Sequence, residues 1–122
     1  MGEKLIIQEF QNNQKEAHLE VETQVSLQKY QASGQMLVDS DNLSFVYLLE
    51  AEETYTYVII PNKIWKELKI VLSEATPVFL SNGREKILLN QFHDELSYLI
   101  ENIKGNSNYG EKMVAEVEAV FE

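Results

Sequence analysis

No cysteine occurs in the 122 residues, so disulfides, thiolate zinc sites, iron–sulfur ligation and cysteine nucleophiles are all excluded. Glycine appears five times and proline twice. No Gly-x-x-x-x-Gly-Lys or Gly-x-Gly-x-x-Gly phosphate cradle lies among those glycines. The serines lack the Gly-x-Ser-x-Gly context of a nucleophile elbow. Histidine occurs twice, as His18 and His93, too far apart in sequence to suggest a relay. The longest apolar runs, such as Phe45 to Leu49, fall far short of the roughly 20 residues a membrane helix needs. Positive charge is scarce: ten bases against twenty acids leave a formal charge of −10. A chain this acidic is repelled by phosphate backbones, which argues against nucleic acid as a partner.

The composition that remains is that of a folded domain. Hydrophobic residues make up 44% and charged residues 25%, values that sustain a core. The length suits one domain spanning residues 1–122. Met1 to Gln8 lacks a basic leader and a long apolar region, so a cytoplasmic location is expected. Met1-Gly2 invites a myristoylation reading, but Ile6 stands where that motif wants Ser or Thr. Asn42-Leu43-Ser44 fits a glycosylation sequon that has no meaning without secretion.

The first sixty residues read as strands. Glu16 to Glu22 alternates polar and apolar strictly, the period of a strand with one wet face. Lys4 to Phe10 and Val25 to Gln31 are less regular candidates, the second flanked by Ser33-Gly34. Leu43 to Leu49 is nearly all apolar, predicting a central strand covered on both faces. Thr54 to Ile60 pairs with it across a Glu50-to-Glu53 turn.

Helices enter in the second half. Pro61 ends a strand and opens a helix, in which Ile64, Trp65, Leu68, Val71 and Leu72 form one buried stripe before Pro77. Val78 to Leu80 and Lys86 to Leu89 flank Asn82-Gly83, a hairpin signal. Phe92, Leu96, Leu99, Ile100 and Ile103 line a second helix that ends at Gly105. Asn108, with Glu111 three residues on, predicts the capped start of a third helix burying Met113, Val114, Val117, Val120 and Phe121. The fold class expected is α+β: a mainly antiparallel β-meander of six to eight strands, one helix before the last hairpin and two C-terminal helices.

Asp39-Ser40-Asp41-Asn42 resembles the start of a calcium loop, with Glu50 at position twelve but Ser44 where the loop needs glycine. An ordinary turn uses the same side chains to satisfy local backbone groups. His18 shares a strand face with Glu16, Glu20 and Glu22, and His93 precedes Asp94 and Glu95 at a helix start, without a second histidine at chelating spacing. Residues 1–60 hold three bases and ten acids, a net −7, whereas residues 61–122 hold seven and ten, a net −3. Lys63, Lys66 and Lys69 recur every third residue on the first helix, a basic stripe that suits an acidic partner or a self-copy. A solvated helix face with Lys63 and Glu67 paired explains the same spacing. Tyr55 and Tyr57 share a strand face that becomes an aromatic patch if no helix covers it, with Phe45 or Tyr47 expected across the strand. Asn106, Asn108 and Tyr109 form a polar loop suited to recognition.

The stretches Leu37 to Phe45, Tyr98 to Ile103 and Gly105 to Glu111 resemble the YjbL-like family of short proteins from low-GC Gram-positive bacteria. The resemblance extends over essentially the whole chain and implies a bacterial, cytosolic, stand-alone domain. That family carries no assigned activity, so no catalytic or ligand residue transfers. The residues point to a non-enzymatic interaction or regulatory domain, binding a protein partner or a second copy and requiring no cofactor and no membrane. Its candidate surfaces are Asp39, Asp41, Asn42, Lys63, Lys66, Lys69, Asn106, Asn108 and Tyr109. The competing reading is a domain that binds a small ligand or divalent metal through Asp39 and Asp41 or an aromatic pocket.

Overall fold

A computed structural model describes residues 3–13, 15–23 and 26–122. Met1, Gly2 and Val25, on which parts of the sequence reading fall, lie outside them. Among the described residues eight strands form two four-stranded sheets: β1 (Lys4–Ile6), β2 (Glu9–Asn12), β3 (Ala17–Glu20), β4 (Gln31–Asp39), β5 (Ser44–Ala51), β6 (Thr54–Pro61), β7 (Val78–Ser81) and β8 (Lys86–Leu88). Three helices, α1 (Trp65–Glu74), α2 (Phe92–Ile103) and α3 (Glu111–Phe121), complete the α+β architecture. Sheet 1 has the order β1-β6-β5-β4, and sheet 2 the order β2-β3-β7-β8. The arrangement is not one meander, because β1 lies parallel to β6 and β3 parallel to β7. Between β1 and β2 the chain passes from one sheet to the other: Ile7 N–H donates to Ile59 O and Gln8 N–H to Glu20 O.

The hydrophobic periods placed most elements. The β4–β5–β6 hairpins are antiparallel, and Glu52 turns the second one at φ 57°. At the β7–β8 hairpin the Asn82 Oδ1 accepts from both Arg84 N and Glu85 N, while Gly83 supplies the positive φ. The Glu85 carboxylate then accepts from Leu27 N at 2.7 Å and from Ser26 Oγ. Residues Leu27–Lys29 therefore form a 3-10 turn, where the sequence suggested a strand. The strand begins instead at Gln31 and runs through Ser33-Gly34 by a register shift between Ala32 and Met36. Glycine punctuation here marks a bulge within a strand, not its end.

The third helix also starts elsewhere than expected. Asn108 does not cap it: Asn108 lies in a 3-10 turn over Ser107–Tyr109 that Asn106 closes, its Oδ1 accepting from Asn108 N, and α3 itself has no side-chain cap. Gly110 then takes φ 92°, which breaks the turn from the helix that begins at Glu111. A positive φ at that position suits glycine and few other residues.

All three helices pack on one side of sheet 1. Trp65 is fully buried, its ring 4.8 Å from Phe45 and 6.0 Å from Phe121, and its Nε1 donates to Ile60 O. Tyr47 meets Phe92 of α2, and α3 rests against both α1 and α2. α1 stops with Ala75 in the left-handed region at φ 54°, its N–H donating to Val71 O. Ala75→Gly is expected to raise stability by about 1 kcal/mol, because glycine removes the steric cost of that conformation. Urea denaturation of the two proteins would check it; equal midpoints would contradict it.

Candidate interaction face

Alternation along β5 sends Phe45, Tyr47 and Leu49 toward the helices and Val46, Leu48 and Glu50 to the opposite side. Val46 and Leu48 are buried, yet they lie outside the cluster of side chains that forms the core. Register places Leu37 and Ile59 beside Val46, Tyr57 beside Leu48, and Ile6 beyond Ile59. These neighbours screen β5 from water, but no helix does. Ile6, Leu37 and Tyr55 are consequently 50%, 49% and 42% exposed. The sequence had suggested cover on both faces of this strand; only one face is covered by helices. Among the described residues β4, β5 and β6 are joined by hairpins, so no helical crossover runs between them to cloak this side.

A groove of about 420 Å³ runs over this open face. Its lining comes from sheet 1 and the β4–β5 turn alone: Lys4, Leu37, Asp39, Asp41, Tyr57 and Ile59 are the residues that shape it. Tyr55 and Tyr57 do share the open face, but their cross-strand partners are Glu50 and Leu48. Phe45 and Tyr47, expected opposite them, point into the core instead, since a strand pair aligned one residue away places its side chains on the other face.

The Asp39–Asn42 segment is a turn. Asp39 accepts from Asn42 N at 3.3 Å and from Asn42 Nδ2 at 2.9 Å, while Leu43 N donates to Ser40 O. Asp39 thus spends both carboxylate oxygens on local backbone and amide groups, and Asp41 stands exposed at the groove's end. Among the described residues no three or more His, Asp or Glu side chains converge as a metal site.

The other surfaces named from sequence lie apart from this face. Lys63, Lys66 and Lys69 are exposed on the far side of sheet 1, and Lys69 donates to Glu122 O at 3.0 Å. The Lys63–Glu67 pair is not among the ion pairs of the described residues. Asn106 ties its turn to α2 by donating to Asn102 O, and Gly105 N donates to Glu118 of α3. Asn108 is exposed, and Tyr109 is half-buried against the core. Neither reaches the Asp39 groove.

On sheet 2, His18 lies between two carboxylates, 2.8 Å from Glu16 and 3.6 Å from Glu20. Lys86 joins Glu16 at 2.6 Å and sits over the Phe79 ring. The His18 and Lys86 hydrogen bonds hold the Glu16 carboxyl below its ordinary value. His93, half-buried, contacts the Thr76 carbonyl through Nε2. These are surface and helix-end contacts of a folded scaffold. What sequence reasoning missed is the role of Val46, Leu48, Leu37 and Ile6. Their signal was an apolar strand whose neighbours form only hairpins.

Fold and face together define a two-sheet α+β domain with helices on one side of its first sheet and an apolar face left open on the other. A family profile described as "Family of unknown function (UPF0738)" matches residues 5–121, and the chain belongs to that family. It is 44% identical over 122 residues to the UPF0738 protein GK0828 of Geobacillus kaustophilus, covering 99% of this chain and 98% of that one. Over 89 residues it is 52% identical to the UPF0738 protein YjbL of Bacillus subtilis, 73% of each chain, and 53% identical to a UPF0738 protein of Bacillus licheniformis, 73% of this chain and 74% of that one. These names carry no activity. No solved structure matches the chain. No helix of the described residues is long and apolar enough to cross a membrane.

Proposed function

We propose that this chain is a cytoplasmic protein-interaction domain whose docking surface is the open face of sheet 1. The observation that carries this reading is the row Ile6, Ile59, Val46 and Leu37, apolar across four strands on the side without helices. Contiguous apolar surface on a soluble domain marks a contact site, whereas scattered exposed residues do not. Leu88 and Tyr98 are exposed singly elsewhere and serve as controls. The groove's volume also lies in the range of small-ligand sites. Such sites enclose most of their ligand, and this one lies open along the sheet. The surfaces around Lys63 to Lys69 and Asn106 to Tyr109 are secondary in this reading.

Photo-crosslinking in cells distinguishes the surfaces. A benzophenone side chain at Leu37 or Tyr55 is expected to give discrete protein adducts that disappear with Ile6→Ser. The same group at Leu88 or Tyr98 is expected to give none. Equal labelling from all four positions, or none from any, would remove the reading.

A further inference from the structure

We propose that the open face receives an amphipathic helix of another protein, about 17 residues long, apolar along one side and basic at both ends. This rests on the interaction reading above and adds the chemistry of the occupant. Charge is the first ground. Both ends of β5 are acidic on the open side, with Asp39 and Asp41 at the β4–β5 turn and Glu50 at the other end. Glu50 follows Val46 and Leu48 in the alternation, and Glu52 and Glu53 form the adjoining turn. Among the described residues Lys4 is the only cation lining the groove. An apolar centre between two acidic ends complements an apolar stripe between two basic ends, and the net charge of −10 steers such a partner in.

Length decides between candidate helices. The eight residues of β5 extend about 26 Å at strand rise, which a helix of about 17 residues spans. The longest helix among the described residues, α2, has 12 residues and reaches only about 18 Å. The lysine stripe is shorter still, at about 10 Å from Lys63, in a 3-10 turn over Asn62–Ile64, to Lys69 of α1. A second copy laid face to face fits poorly as well. A two-fold axis along the strands sets Asp39 and Asp41 against themselves, and one across the strands sets them against Glu50, Glu52 and Glu53. Anionic lipid and nucleic acid meet the same repulsion. A helix laid on the apolar face of a sheet is also what already covers the other side here, and helix-in-groove binding is a common mode of recognition.

The test uses the full chain and a labelled synthetic peptide of 18 residues, with leucines at i, i+3, i+4 and i+7 and lysines at both ends. Fluorescence anisotropy is expected to show saturable binding that weakens as salt rises. Glutamates in place of the lysines, or scrambling that destroys the leucine stripe, is expected to weaken binding by about ten-fold or more. Leu37→Ser with Ile6→Ser leaves charge unchanged and is expected to have a similar effect. So is Asp41→Lys with Glu52→Lys and Glu53→Lys. Unaltered circular dichroism melts of these variants would show that the fold persists. Equal affinity for the glutamate-ended peptide, or binding unaffected by the Leu37 and Ile6 changes, would overturn the proposal. So would preferential binding to phosphatidylglycerol vesicles, or a dimer in sedimentation that Leu37→Ser dissolves. Position-specific crosslinks at Leu37 without peptide binding would retire the basic helix while leaving the interaction face; loss of those crosslinks retires both.

Discussion

Trp65→Ala is expected to cost about 3–5 kcal/mol of folding stability, the range for removing a fully buried aromatic from a well-packed core. Trp65 joins three elements at once. Its ring lies against Phe45 of β5 and Phe121 of α3, and it stands at the first position of α1. Its Nε1–H donates to Ile60 O at 3.3 Å, so alanine leaves a buried carbonyl without that donor as well as a cavity. Domains of this size typically hold about 5–15 kcal/mol in total, so a large share of the native margin disappears. Trp65 is the one tryptophan of the chain, and its substitution abolishes the intrinsic tryptophan fluorescence. Urea unfolding followed by far-ultraviolet circular dichroism is therefore the measurement. A midpoint within a few tenths molar of the parent protein would contradict the packing described.

Tyr47→Phe is expected to cost about 1–1.5 kcal/mol, because the Gly34 N–H and the Asn90 carbonyl, both part-buried contacts, lose the hydroxyl they share. The Tyr47 hydroxyl donates to Asn90, with O at 2.7 Å and Oδ1 at 2.9 Å, and accepts from Gly34 N at 3.1 Å. It thereby pins the β4 bulge to the loop before α2. Gly34 is needed there twice over: its φ is 78°, and a Cβ would come within 3.1 Å of Gln91 Cγ. Burial, with Glu95 adding a smaller push, raises the Tyr47 hydroxyl to about 12, although the Gly34 N–H opposes the shift. The sign follows from proton binding. Between about pH 10 and 12 the folded chain keeps a proton that the unfolded chain has released. This contribution is therefore complete below pH 10 and is lost as pH rises through that window. Denaturation at pH 9 and pH 11 should show a loss of stability that is smaller in Tyr47→Phe. An equal loss in both proteins would refute the assignment to Tyr47.

Much of the local structure was readable beforehand. The stripe of Ile64, Trp65, Leu68 and Val71, and that of Phe92, Leu96, Ile100 and Ile103, lie on the buried sides of α1 and α2. Gly105 follows the end of α2 in the left-handed region, as its position suggested. One misreading occurs where a distant residue decides. Leu27–Lys29 becomes a 3-10 turn because Glu85, 58 residues away from Leu27, caps its backbone. That partner is invisible in a window of a few residues. At α3 the cause is local: Asn108 is held inside the 3-10 turn that Asn106 closes, so Glu111 opens the helix after Gly110 without a side-chain cap.

The same division runs through the candidate site. Composition alone excluded thiol chemistry and counted the acids, and periodicity alone separated strands from helices, since both are properties of neighbours along the chain. Tertiary structure decided that β1 and β3 pair in parallel with β6 and β7, and that α1, α2 and α3 all pack on one side of sheet 1. It also separated the Asp39 turn, the Lys63–Lys69 stripe and the Asn106–Tyr109 loop, which sequence had grouped by chemistry. An apolar strand reads identically whether one or both of its faces are covered, because the helix that would cover the second face is a non-local choice. The open row at Ile6, Val46, Leu37 and Ile59 is the consequence of that choice.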